Sequence, residues 1–439
     1  MKKIIFSIIA LLGLSTMSAF AQDAAPVLDS GNTAWMIVAT AFVFLMTVPA
    51  LALFYGGLVR RKNVLSVFMQ CLILAAVMSL EWVIVGYSLS FGEGNAFIGD
   101  FSMAFLCGIG QNSVEATGIP TYIWILFQGM FAVITPALII GAFAERIKFK
   151  GFLLFSILWA LVIYYPMAHW VWGGGWMSQI GDLLGWSDAG GAIDFAGGTV
   201  VHINAGIAAL VMCVLLGKRR DYQGHALPPH NIPFVAIGAA MLWIGWFGFN
   251  AGSGLAADGL AGNAFLVTHI CTATAALIWA VLDWIVGKKP TVVGISTGAV
   301  AGLVAITPAA GTTGLAGALL IGITVAVVCY FMVAFVKGKL GYDDSLDAFG
   351  VHGIGGMVGA LLTGIFATNV ETGGLEFYSF HQFLVQLISV VATIAFSGIA
   401  TTILFFVVDK TVGLRVSDKE EAIGLDESDH GETAYTTFD

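Results

Sequence analysis

Apolar residues in this chain come in long unbroken runs, not in the alternation of a half-buried strand or the one-sided stripe of a soluble helix. Eleven runs of about twenty residues each read as membrane-spanning helices, since a helix rising 1.5 Å per residue needs roughly that many to cross the hydrocarbon core. They fall near 33–55, 64–90, 121–143, 151–168, 195–216, 231–251, 262–286, 292–309, 313–336, 347–367 and 382–408. A twelfth apolar run is of another kind. Lys2 and Lys3, the stretch from Ile4 to Leu14 and Ala19-Phe-Ala21 fit a secretory signal peptide cleaved before Gln22, too short for an anchor. The chain thus divides into a signal peptide (1–21), an eleven-helix body (22–408) and a polar, acidic tail (409–439).

The basic residues test that count independently. With Lys2 and Lys3 set aside, every Lys and Arg follows an odd-numbered run. Arg60, Arg61 and Lys62 follow the first, Arg146, Lys148 and Lys150 the third, Lys218, Arg219 and Arg220 the fifth. Lys288 and Lys289 follow the seventh, Lys337 and Lys339 the ninth, Lys410, Arg415 and Lys419 the eleventh. The positive-inside rule then puts the N-terminus outside and the C-terminus inside. Five helices per half, an odd number, make runs 1–5 and 6–10 an inverted repeat with run 11 added. Such repeats place a substrate site at their interface near the membrane midplane.

Composition fixes the class: 58% of residues are apolar and 10% charged, against about 25% charged in a soluble domain. The 55 glycines suit helices that pack closely. The net charge of −9 lies largely in loops and tail and carries no nucleic-acid signature. Cys71, Cys213, Cys271 and Cys329 lie in apolar runs and Cys107 in a loop, with no metal or disulfide spacing.

Chemistry enters with polar residues inside the apolar runs, where an ionisable group is a functional hypothesis by default. Asp194-Phe-Ala-Gly-Gly-Thr-Val-Val-His202 places an acid at a helix start and a histidine eight residues later, about 12 Å along the axis and about 80° around it. Capping and the macrodipole favour the carboxylate there. The second half closes on a similar pairing, Asp347 with His352, so Asp347 is expected to mirror Asp194 and anchor its helix. Two histidines without a nearby Cys or third carboxylate leave a zinc ion short of ligands, so no metal is expected. His269 and Glu81 read as packing residues with a hydrogen bond to a neighbouring helix.

Eight stretches in order resemble the Amt/Mep/Rh family of ammonium transporters. They are Phe127-Gln-Gly-Met-Phe131, Gly141-Ala-Phe-Ala-Glu-Arg-Ile147, Val171-Trp-Gly-Gly-Gly175, Asp194 to Gly206, Gly245-Trp-Phe-Gly-Phe-Asn-Ala-Gly-Ser253, Ala301 to Pro308, Asp347 to Gly353 and Gly424 to Tyr435. The resemblance implies an outer ammonium-recruiting site formed or bordered by Trp172, Phe127, Phe131, Trp246 and Ser253, organised by Asp194. It implies a phenyl pair, Phe131 and Phe249, closing a pore lined by the twin histidines His202 and His352. It further implies transport without enzymatic turnover and without a cofactor, with methylammonium as an analogue. A homotrimer in a bacterial inner membrane, a tail docked on the inner loops and a P-II-type signalling partner on the cytoplasmic face complete the picture. Rival readings are an ammonium sensor whose tail signals and a neutral gas channel of the Rh branch. The spacer between Trp172 and Asp194, with Trp176, Asp182, Trp186 and Asp188, is longer than in many relatives.

Overall fold

The computed structural model describes residues 26–223, 227–367 and 379–435; the expected signal peptide lies outside them. Among the described residues ten helices are long and apolar enough to cross a membrane. They are α1 (Ser30–Leu58), α2 (Arg61–Phe91), α3 (Thr121–Phe143), α4 (Phe149–Leu184, broken at Gly173), α5 (Gly198–Leu216), α6 (Ile232–Gly252), α7 (Gly259–Gly287), α9 (Leu315–Leu340), α10 (Phe349–Phe366) and α11 (Phe380–Thr411). Between α7 and α9 lies α8 (Val292–Ile306), an apolar helix of 15 residues. The chain is an all-helical polytopic membrane protein.

In runs this uniformly apolar, the starts of helices are written by short polar side chains. Asp29, Asn231, Asp258, Thr291 and Ser379 each accept a backbone N–H from three residues on, opening α1, α6, α7, α8 and α11. Each satisfies one of the four donors that a helix start leaves free.

The packing repeats itself. α1 and α2 both lie against α3, α2 also against α4, and α3 against α5. In the same way α6 and α7 lie against α8, α7 against α9, and α8 against α10. The two sets meet along α1 with α6 and along α5 with α10, and α11 covers α4, α5 and α10. Where α5 crosses α10 the backbones touch. A methyl on Gly206 would strike the backbone of Gly353, and one on Gly356 would crowd His202 and Ile203. Glycine at these places allows a van der Waals approach that no larger residue permits.

The connecting segments sort into two faces. On one, Arg60 pairs with Glu145 (2.8 Å), and Arg219 with Asp343 (2.7 Å) and Glu145 (3.4 Å). Buried Arg146 donates to the Asp343 carbonyl and to Ser345, both at 2.6 Å. These bonds join the segments that follow α1, α3, α5 and α9. Burial pushes Asp343 up, but the Arg219 hydrogen bond and charge outweigh it and hold the carboxyl below its usual range. The other face holds the segments after α2, α4 and α6, tied by Asn32 to Thr117 (2.7 Å) and Ala257 (2.8 Å) and by Trp176 to Ala96 (3.0 Å), with Gly190 bonded to Gln382 of α11 (3.0 Å).

The tail lies on the first, charged face as two short helices, α12 (Asp418–Ile423) and α13 (Leu425–His430). Glu421 accepts from Arg220 N (2.7 Å) and Arg415 (2.9 Å), Lys62 donates to the Ala422 carbonyl (2.6 Å), and Asp426 accepts from Ser66 N (2.8 Å).

Candidate functional site

The helices that carry the two histidines both open with a wide, π-type turn. It spans Gly198–Ile203 at the head of α5 and Phe349–Gly353 at the head of α10. Such turns are rare and recur at functional sites. Each helix packs against the other's wide turn, and this crossing brings His202 and His352 together. Their Nδ1 atoms are 3.4 Å apart and their rings lie 20° from parallel, with centroids 5.4 Å apart. Both rings are buried. One imidazole can donate an N–H to the other's bare nitrogen, which leaves a further ring nitrogen on each for a guest. His202 Nε2 has no protein partner among the described residues.

Asp194 precedes the wide turn without being helical itself. Gly197, at φ +115°, folds the backbone so that successive N–H groups converge on its carboxylate. Asp194 accepts from Gly197 N (2.8 Å), Gly198 N, Thr199 N (2.8 Å), Val200 N (3.1 Å) and the Thr199 hydroxyl. Its own carbonyl accepts from Trp172 Nε1 at 2.8 Å. With five donors on two oxygens, this carboxylate is committed to holding the start of α5, while the main-chain carbonyl of the same residue holds Trp172 of α4.

The second half answers with a different acid from the one expected. Asp344, eight residues before His352, accepts from Ala348 N (3.0 Å) and Phe349 N (2.8 Å). Asp194 makes the same i+4 and i+5 bonds. Asp347 instead sits at φ +61° with its carboxylate paired to Lys337, near the end of α9. The expectation that Asp347 mirrors Asp194 is therefore corrected: Asp344 caps, and Asp347 clips α9 to the head of α10. The signal was the spacing, eight residues in both halves.

Above the histidines the bore is closed by rings. Phe131 of α3 and Phe249 of α6 stack at 4.2 Å and 23°. Phe131 also meets Trp172 edge-on at 5.8 Å and Phe127 at 5.1 Å. Ser253 lies one turn further out along α6; its hydroxyl donates to the Phe249 carbonyl (2.8 Å) and keeps its lone pairs for another donor. Trp246 does not join this outer group. It lies one turn to the other side of Phe249, stacked on His202 at 5.4 Å and 21°, with its N–H on Thr307 at 2.8 Å. Residues 246, 249 and 253 share a helix face, but seven residues separate the ends of that row by about 10 Å. Trp246 is thus corrected from the recruiting group to the wall beside the histidines. The structure groups Trp172 and Phe127 with the Phe131–Phe249 pair, with Ser253 one turn beyond Phe249, and sets Trp246 and His352 against His202.

Between the phenyl pair and His352 lies a narrow cavity of about 10 Å³, walled by Met46, Leu51, Ile134, Leu138, Leu242 and Val300. A second, of about 100 Å³, shares His352, Phe54 and Val300 with it and runs past Tyr55 and Asp347 to Pro229. The first cavity is thus lined by carbon apart from the imidazoles and the Trp246 ring, and the second adds Tyr55, Thr297, Ser345 and Asp347. Among the described residues no group of His, Cys, Asp and Glu could hold a metal ion. Cys107 is exposed, and the other four cysteines are buried and unpaired.

Residues 34–435 match the model of the Ammonium Transporter Family. The chain is 51% identical over 426 residues to an ammonium transporter of Aquifex aeolicus, covering 96% of this chain and 97% of that one. Among solved structures, Candida albicans Mep2 superposes with a TM-score of 0.81 at 34% identity, covering 90% of this chain and 88% of that one. A chain described as a sensor Amt protein superposes equally well, TM-score 0.81 at 29% identity, over 91% of this chain and 98% of that one.

Proposed function

Because the chain belongs to the ammonium transporter family, we propose that it recruits ammonium at the ring cluster of Trp172, Phe127, Phe131 and Ser253, takes the ion apart at the phenyl pair, and conducts ammonia along the bore past His202 and His352. The observation that carries this reading is the stacked phenyl pair standing over two facing imidazoles in an otherwise apolar bore.

Potassium has nearly the size of ammonium, so a sieve alone does not tell them apart. Aromatic faces attract either cation, by about 2 kcal/mol or more once it is desolvated. The Ser253 lone pairs favour the ion that has N–H bonds to give. Carrying a bare charge into apolar surroundings costs several kcal/mol or more, and here ammonium has an escape that potassium lacks. It sheds a proton and proceeds as neutral ammonia, which the imidazole nitrogens can hydrogen-bond on its way. The histidine pair offers a path for the proton as well. Asp194 acts as the organiser of the outer site, since its oxygens are already committed.

In this reading α1–α5 and α6–α10 are the inverted halves, with α11 added. The repeated packing and the two segregated faces support that arrangement, and the Arg- and Lys-rich face is cytoplasmic. A cleaved signal peptide, a bacterial inner membrane, a homotrimer and a P-II-type partner on the cytoplasmic face belong to the same proposal. A sensor reading is favoured by one observation, the tail held on the charged face by Glu421 and Asp426.

The deciding experiment measures current from purified protein in proteoliposomes after an ammonium jump, with potassium as control. A saturable current specific for ammonium, which loses its discrimination against potassium in His202→Ala, supports the transport reading. Ammonia uptake without current would replace it by a neutral gas channel. Binding with neither current nor uptake would replace it by the sensor.

A further inference from the structure

One face of α11 is polar along its whole length, yet all of it is buried. Gln382, Gln386, Ser389, Thr393, Ser397 and Thr401 follow one another at helical spacing, and each is 0% exposed. Buried polar groups need partners, and these find them in two ways. The hydroxyls of Ser389 and Thr393 donate back into their own helix, to the Val385 carbonyl (2.9 Å) and the Ser389 carbonyl (2.7 Å). The two glutamines at the outer end instead reach the main chain of the spacer between Trp172 and Asp194. Gln382 accepts from Gly190 N and donates to the Gly191 carbonyl, both at 3.0 Å. Gln386 accepts from Ile193 N (2.7 Å) and donates to the Ile193 carbonyl (2.8 Å) and to the Ala360 carbonyl of α10 (3.0 Å). Only one orientation of that amide works, because one main-chain N–H needs its oxygen and two carbonyls need its N–H groups.

We propose that Gln386 is a positioning residue for the outer ammonium site, a role that rests on the reading of that site given above. Its amide takes both main-chain groups of the residue just before Asp194, as a neighbouring strand would, and fixes them to the helix that carries His352. On the other side of Asp194, Phe195 N donates to the Pro308 carbonyl at 3.2 Å. Asp194 is thus pinned from both sides. Its carbonyl holds Trp172, and Trp172 meets Phe131 edge-on. Where Gln386 holds Ile193 therefore sets where the recruiting ring stands. Gln382 grips the same spacer without this consequence. The stretch it holds is tied a second time, by Gly181 N to the Gly190 carbonyl (3.0 Å) and Ala192 N to the Met177 carbonyl (2.8 Å). Among the described residues the main chain of Ile193 is bonded by Gln386 only. Loss of the Gln386 amide frees Ile193, Trp172 loses its fixed place, and the apparent affinity for the transported ion falls while the bore below stays as it was.

The test compares methylammonium uptake by the full-length protein in proteoliposomes for Gln386→Met, Gln382→Met and Trp172→Ala. Methionine keeps the length and volume of glutamine and removes its hydrogen bonds. Gln386→Met should raise KM about fivefold, the worth of one hydrogen bond, with kcat per folded transporter nearly unchanged. Gln382→Met should lower thermal stability and leave KM where it was. A merely structural role would reduce the amount of folded transporter, and so the maximal rate, without moving KM. If Trp172→Ala raises KM and a folded Gln386→Met does not, the proposal is overturned. An equal rise in both glutamine variants would also overturn it, since the effect would then belong to the spacer as a whole. An unchanged KM in Trp172→Ala would place the failure in the reading of the outer site and remove the role with it. Should Gln386→Met not fold, Gln386→Asn, which keeps the amide but withdraws it by one methylene, enters the same comparison with the same expected rise in KM.

Discussion

Asp194 and Asp344 each stand eight residues before a buried histidine, and each binds the N–H groups four and five residues on. Around the first, four backbone N–H groups and a hydroxyl converge. Around the second there are two N–H groups, with Asp347 and Lys337 close by. The Asp194 cap is a neutral-donor cage whose grip does not depend on a neighbouring charge. The Asp344 cap stands among charged neighbours: burial first, then the Asp347 charge, push the Asp344 carboxyl up to about 7. One geometry therefore serves a fixed end and an adjustable one.

The difference is sharpest on removal. Asp194→Ala strands four N–H groups and a hydroxyl in a buried turn, and should cost more than about 2 kcal/mol and abolish uptake. Thermal unfolding in detergent and methylammonium uptake both read it. Asp344→Ala strands two donors and is expected to cost about half as much, with uptake reduced but measurable. Equal losses for the two variants would erase the distinction.

Acidity gives the smallest effect and the finest one. A carboxyl whose pKa is raised on folding stabilises the native state while protonated. The contribution of Asp344 is thus fully present below its ordinary 3.8 and is lost as pH climbs toward about 7. Asp344→Asn should flatten that part of the stability profile. Asp347→Asn removes a negative neighbour, lowers the Asp344 pKa and should shorten the falling segment from its upper end. A profile identical in all three proteins would count against a titrating Asp344 cap.

Much of this was legible in the sequence, because membrane helices must satisfy their backbone within apolar runs and their ends attract particular side chains. The eleven runs correspond to ten long helices and to α8, whose 15 residues fall short of the expected 292–309 because the chain leaves the helix at Thr307, just before Pro308. The phenyl pair and facing histidines were legible through motif and helix face. Depth was not. Shared-face spacing placed Trp246 correctly around α6 and left its level along the axis open, and Thr307, which fixes that level, lies 61 residues away. Asp347 is the acid the motif itself offers, and Asp344 lies outside it; a positive φ at residue 347 turns its side chain away from the helix start.

The glycine contact between α5 and α10 has a consequence for how the bore answers its surroundings. Thicker or thinner lipid changes the tilt of helices, and tilt moves their ends far more than a point where two backbones touch. Gly206 and Gly353 make that point a fulcrum, beside the histidines. Bending of the surrounding bundle is therefore felt at the rim and at the charged face, while the gap between the two imidazoles keeps its gauge.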